Sequence, residues 1–131
     1  MSRVPALLVM HGDLSTALLR AAEEVAGGID GVETLSNAGL SRDALEAEIA
    51  RRVALWDEGG LVLTDFWGGS CHTCGLSVSR GRGRIAVLTG LNLPMLIDYA
   101  YNRDRCSVVE LAERLQKKGQ DSIRLQLGEP A

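Results

Sequence analysis

Pro5-Ala6-Leu7-Leu8-Val9-Met10, closed by His11-Gly12-Asp13, is the stretch that decides how this chain folds. A short all-apolar run stopped by turn residues reads as a strand buried on both faces, as in a parallel sheet between helices. His11 then stands at the carboxyl end of that strand, the edge along which α/β sheets gather their ligands. On these residues alone, a histidine that merely ends a strand in a polar turn is the plainer reading. The rest of the chain decides between the two.

Working outward, Leu14, Leu18, Ala21, Ala22 and Val25 recur at helical spacing, and Gly27-Gly28 ends the pattern. Val32-Glu33-Thr34-Leu35 predicts a second short strand. Ser41 can cap a second helix whose apolar stripe is Leu45, Ile49, Val53 and Trp56. Leu61-Val62-Leu63-Thr64 is the third strand and runs into Asp65-Phe66-Trp67-Gly68-Gly69-Ser70. The helix expected over residues 71–78 is poor by propensity, because it holds Gly75 and several serine or threonine residues. Ile85-Ala86-Val87-Leu88 is the fourth strand, followed by Thr89-Gly90-Leu91-Asn92-Leu93-Pro94. A helix over 94–101 can begin on Pro94, since proline is tolerated in a first turn. Ser107 and Glu110 form a capping box ahead of Val108, Leu111, Ala112 and Leu115.

Four apolar strands alternating with helices predict an α/β fold: a doubly wound, four-stranded parallel sheet with helices on both faces. The tail Ser122-Ile123-Arg124-Leu125-Gln126-Leu127 alternates like a half-buried strand and does not match the other four. It is expected as a C-terminal antiparallel edge strand, with a partner's sheet as one place it could add.

The 131 residues suit a single domain, residues 1–131, long enough to bury about two-thirds of the surface of the unfolded chain. Hydrophobic content of 46% with 24% charged residues is ordinary for a globular protein, and no segment approaches a membrane span. The opening apolar run lacks a small-residue cleavage site, so a cytoplasmic protein is expected. A net charge of -3 argues against nucleic acid as the main partner. Three cysteines without an export signal suggest reduced thiols.

Three strand ends offer recognisable groups: His11-Gly12, Asp65 to Ser70, and Leu91 to Met95. In a right-handed parallel sheet they lie on one edge and can meet. A carboxylate beside a histidine takes the proton of one ring nitrogen and leaves the other with a free lone pair. Asp65 is the candidate orienter and His11 the candidate nucleophile. Gly68-Gly69-Ser70 opens a helix, so its backbone N–H groups and the Ser70 hydroxyl can hold an anion at the helix N-terminus. Together these describe a site that carries a phosphoryl group on nitrogen. No Gly-x-x-x-x-Gly-Lys nucleotide loop is present, which favours another protein as phosphoryl donor and calls for no cofactor.

The order strand-His11-Gly12, then Leu63-Thr64-Asp65-Phe66-Trp67-Gly68-Gly69-Ser70, then Gly90-Leu91-Asn92-Leu93-Pro94-Met95 resembles the EIIA domain of the mannose/fructose/sorbose family of the bacterial phosphotransferase system. The resemblance covers nearly the whole chain. It implies that His11 accepts a phosphoryl group from the phosphocarrier HPr through Nε2 and passes it to an EIIB protein. It further implies that Asp65 holds Nδ1, that Ser70 helps hold the phosphoryl group, and that the domain is a homodimer exchanging its C-terminal strand. The chain departs from the family at Phe66, often a threonine, at Cys71, usually proline, and at Thr73, usually asparagine. Two other uses of the same chemistry stay open at this point. One is a regulatory phosphoprotein whose His11 controls a binding partner without sugar transport; the other is a phosphoryl donor to dihydroxyacetone kinase.

Cys71-His72-Thr73-Cys74 also invites a redox or zinc reading. Zinc needs about four ligands and Cys106 is isolated, so no metal site is expected from this pair and small residues packing near the site are the plainer reading. His72 reads as a helix-surface histidine beside the pocket. Arg80, Arg82 and Arg84 read as a solvated turn, and Trp67 equally as a docking surface or a buried aromatic.

Overall fold

Every residue of β1 (Ala6–Met10) is buried, because helices cover both faces of the sheet. The computed structural model describes residues 3–130; Met1, Ser2 and Ala131 lie outside the described residues. The order is β1, α1 (Leu14–Ala26), β2 (Glu33–Ser36), α2 (Arg42–Val53), β3 (Gly60–Thr64), α3 (Ser70–Ser79), β4 (Ile85–Leu88), α4 (Leu93–Asn102) and α5 (Val108–Asp121). All strand pairs are parallel and the spatial order is β2-β1-β3-β4.

Alternation along the strands divides the core. Ala6, Leu8 and Met10 point to the face covered by α1, α4 and α5, joining Leu61, Leu63, Leu96, Tyr99, Leu111 and Leu115. Leu7 and Val9 point the other way, with Val62, toward Leu45, Ile49 and Val53 of α2 and Cys71, Cys74 and Val78 of α3. Each fully buried leucine of this kind contributes about 1.5–3 kcal/mol by leaving water. The register Leu7↔Val62 and Leu8↔Leu63 keeps the two central strands in step on both faces.

The winding places the site. From β1 the chain steps outward to β2, then crosses back to β3 on the other side of β1. The crevice of such a sheet opens where its order reverses, outside the carboxyl ends of β1 and β3. His11 follows β1 directly and Asp65 follows β3 directly.

The elements lie within a residue or two of expectation. Trp56 falls beyond the end of α2 yet packs on the same cluster from the following turn. Ser41 accepts from the Ala44 amide, and both bonds of the Ser107–Glu110 capping box are made. Helix α3 forms despite its composition because Gly75 lets it settle on the sheet: a Cβ there would sit 3.2 Å from a methyl of Val62. The tail behaves differently from a fifth strand of the same chain. Among the described residues, 123–130 join no strand, Ile123, Leu125 and Leu127 are exposed, and β4 is paired on one side only, with β3. Burial along β4 is only intermediate, its outer edge being uncovered.

Candidate functional site

The His11 amide donates to Asp65 Oδ2 at 2.9 Å, and ring Nδ1 lies 2.6 Å from the same oxygen. The other oxygen, Oδ1, accepts the Phe66 amide at 3.0 Å. Both carboxylate oxygens therefore face N–H donors. The Asp65 side chain is only 8% exposed. Burial on its own would raise its pKa, but the bonds from the His11 amide and ring hold the carboxyl below the usual range. An ionised acceptor at Nδ1 keeps the ring proton there and leaves the lone pair on Nε2.

Nε2 faces the Ser70 hydroxyl at 3.3 Å, and Ser70 is the first residue of α3. The loop that brings it there depends on two glycines. Gly68 has φ +83°, and a Cβ on Gly69 would lie 2.6 Å from the Phe66 ring. The Gly69 amide donates to the Phe66 carbonyl at 3.3 Å, which tightens the loop. The amides of a helix's first turn have no carbonyl behind them inside the helix. The head of α3 thus presents a hydroxyl, N–H donors and the positive end of a dipole beside Nε2.

The structure brings His11, Asp65 and Ser70 together at the mouth of the crevice, with Gly68 and Gly69 shaping the loop between. The Leu91-to-Met95 segment is framework instead: the Leu91 amide donates to the Thr64 carbonyl, and Asn92 caps α4 through the Met95 amide. Two neighbours of His11 are additional. Asn37, at the carboxyl end of β2, accepts the Gly12 amide at 3.1 Å, and the Phe66 ring lies against the imidazole with centroids 5.1 Å apart. The loop Ser36-Asn37-Ala38-Gly39 follows a strand on the same edge, which was the available signal for Asn37.

The remaining motifs divide. His72 is buried, 3% exposed, and not on the helix surface as its polarity suggested. It sits over β3 with Nδ1 3.2 Å from the Thr64 hydroxyl, and burial lowers its pKa. The Trp67 ring packs on it but is 77% exposed, so the buried reading of Trp67 does not hold. Burial, followed by the charge of Asp65, pushes the Cys71 thiol up to about 11. Cys74 is raised by burial as well. These are the opposite of the depressed thiol pKa that a redox pair at a helix start requires. Arg80, Arg82 and Arg84 are exposed.

The family described as "PTS system fructose IIA component" matches residues 6–116. Among solved structures, phosphotransferase system component EIIA from Streptococcus agalactiae is 27% identical, with a TM-score of 0.86 over 92% of this chain and 95% of that one. The PTS IIA protein associated with the fucose utilization operon of Streptococcus pneumoniae is 26% identical, TM-score 0.82, covering 95% and 96%. The mannose/sorbose specific IIA subunit from Enterococcus faecalis shares the fold at 23% identity, TM-score 0.84, covering 99% and 100%. No curated protein sequence matches significantly. With the match running from β1 into α5 and taking in the whole His11–Asp65–Ser70 site, this chain belongs to the PTS fructose IIA component family.

Proposed function

We propose that this protein is a phosphocarrier of the sugar phosphotransferase system, acting as a single domain in the cytoplasm. His11 accepts a phosphoryl group from phospho-HPr and passes it to a separate EIIB protein. The observation that carries this reading is the 2.6 Å contact of Nδ1 with Asp65, which leaves Nε2 as a lone pair at the head of α3. In the forward step the Nε2 lone pair attacks phosphorus, the P–N bond to the donor histidine breaks, and the donor ring leaves neutral. His11 becomes cationic, with Nδ1–H held by the Asp65 carboxylate. Ser70 and the first-turn amides of α3 then hold the phosphoryl oxygens. No group has to move far, so the acceleration comes from positioning and fixed charge.

In this reading the working unit is a homodimer in which each tail pairs with the partner's β4. The uncovered edge of β4 and the alternating, exposed Ile123, Leu125 and Leu127 support it. A groove of about 370 Å³ also runs there, lined by Val87, Leu88, Thr89, His72 and Ile123. The buried atoms His72 Nε2 and Thr89 Oγ1 have no hydrogen-bond partner among the described residues. A strand laid against β4 is one way to bring polar groups to them.

Intact-mass analysis after incubation with phosphoenolpyruvate, enzyme I and HPr tests the carrier role. One acid-labile phosphoryl group, absent in His11→Ala, is expected. No gain with a competent HPr refutes it.

A further inference from the structure

Cys71 stands one residue past Ser70, where its thiol is buried beside the His11–Asp65 pair. One ligand atom from each of His11, Asp65 and Cys71 lies within 4.8 Å of the other two. An imidazole nitrogen, a carboxylate oxygen and a sulfur form the mixed donor set that suits a borderline-soft ion. We propose that these three side chains form a binding site for a divalent cation of the zinc class, and that this cation and a phosphoryl group on His11 exclude one another. The metal site stands on the donor geometry alone; the exclusion rests on the phosphocarrier reading of His11.

The geometry needs small adjustments. Tetrahedral ligands at about 2.0–2.3 Å from zinc are about 3.5 Å apart. Nδ1 and Asp65 Oδ2 must open from 2.6 Å, and the widest pair must close from no more than 4.8 Å. The His11 side chain, 38% exposed, is the one with room to turn, and the same exposure gives the ion a way in. On binding, the Cys71 S–H bond breaks and its proton goes to solvent. The thiolate, one imidazole nitrogen and a carboxylate oxygen then bond to the cation, and water completes the coordination. No oxidant or reductant takes part.

Exclusion follows from the two nitrogens of one ring. A cation on Nε2 occupies the nucleophile. A cation on Nδ1 drives the ring proton to Nε2 and removes its lone pair. Conversely, a ring phosphorylated on Nε2 and protonated on Nδ1 has no lone pair left for a metal. Cys71 is what makes this site more than a histidine–carboxylate pair. The other thiols are placed elsewhere: Cys74 approaches the Arg42 carbonyl, and Cys106 lines a cavity with Pro5, Gly59 and Arg84 at the opposite edge of the sheet.

The test uses cobalt(II) as a spectroscopic probe and zinc(II) in competition with a chromophoric chelator, on the full chain. Wild type is expected to bind one ion with a thiolate-to-cobalt charge-transfer band. Cys71→Ser, close in volume, should lose the band and weaken zinc binding at least about tenfold, no less than loss of an outer-shell partner costs. Cys71→Ala serves as a second variant, while Cys74→Ser and Cys106→Ser should keep the band. No band in wild type, or a band that survives Cys71→Ser, overturns the site. For the exclusion, purified phospho-HPr is mixed with each protein with and without zinc. At a zinc concentration that fills wild type but not Cys71→Ser, zinc should suppress loading of wild type, a chelator should restore it, and the variant should load to the same extent with and without zinc. Unaffected loading of zinc-bound wild type overturns the exclusion. Absence of loading without zinc refutes the phosphocarrier reading and the exclusion with it, while the cobalt spectra still decide the metal site.

Discussion

Replacing Asp65 by Asn tests the step on which the proposed mechanism turns. The amide keeps the shape of the carboxylate and one acceptor oxygen. That oxygen can take the place of Oδ2, which meets both the His11 amide and Nδ1, so the ring keeps its acceptor, while the amide NH2 in the place of Oδ1 leaves the Phe66 N–H without one. What disappears at the ring is the charge that faces it when phosphorylation makes it cationic. For charges about 4 Å apart at an effective dielectric constant of about 20, the lost attraction is about 4 kcal/mol. The ring is partly exposed, and solvent screening lowers this to about 3 kcal/mol, which is about 10²-fold in rate. Asp65→Ala removes the acceptor too and should fall at least as far. The assay is single-turnover transfer from phospho-HPr followed by rapid quench, with circular dichroism confirming that each variant is folded. A folded Asp65→Asn protein that transfers within threefold of wild type refutes the electrostatic role and leaves Asp65 as a positioning residue alone.

Acid should uncover the same carboxylate. Because the Asp65 pKa is lowered in the folded state, its contribution to stability is present above the unfolded value near 3.8 and is lost as pH falls through the folded value. Urea unfolding should therefore separate wild type from Asp65→Asn at pH 6 and bring them together as the pH drops below 4; a constant gap removes the linkage. Ser70→Ala should slow phosphoryl transfer about tenfold or more, the scale of one hydrogen bond to a charged group, while leaving the urea midpoint nearly unchanged. Loss of stability without loss of rate would make Ser70 a helix-start residue only. A chain ending at Ser122 should be monomeric by light scattering where the full chain is dimeric, and a full chain that is monomeric at high micromolar concentration rejects strand exchange.

Much of this architecture was legible because the two central strands are short, apolar and closed by turns. Leu7 to Met10 and Leu61 to Thr64 are buried throughout, and the groups that follow them, His11 and Asp65, meet as the winding of a parallel sheet requires. Capping at Ser41 and Ser107 was equally readable, since each depends on a few neighbouring residues. His72 was not readable. Its polarity argues for the surface, and its burial depends on Thr64, a polar group that itself lies inside the sheet. Asn37 was only half readable: its loop follows a strand on the same edge, but its partner is the backbone of Gly12, which no side-chain pattern announces. The tail alternates as a strand should, but alternation alone does not make a strand, and among the described residues the tail joins none.

Helix α3 shows why local preference and the demands of a site diverge. Its sequence, SCHTCGLSVS, is a weak helix former, and its single glycine alone costs about 1 kcal/mol relative to alanine. Each of these choices serves closeness. Gly75 lets the helix rest on Val62 and Thr64, Cys71 and Cys74 fill the space beneath it without bulk, and Gly69 leaves room for Phe66 to lie against the His11 ring. Burial of Cys71, Cys74 and Val78 offsets the poor propensity, so the helix holds by tertiary packing. The same closeness that sets Ser70 3.3 Å from Nε2 brings the sulfur of Cys71 within ligand reach of His11 and Asp65. An alanine at 75 would strengthen the helix by itself while pressing against Val62 and lifting the helix from the sheet. The composition that makes α3 look improbable in the sequence is therefore what lets it bring donor groups up to His11.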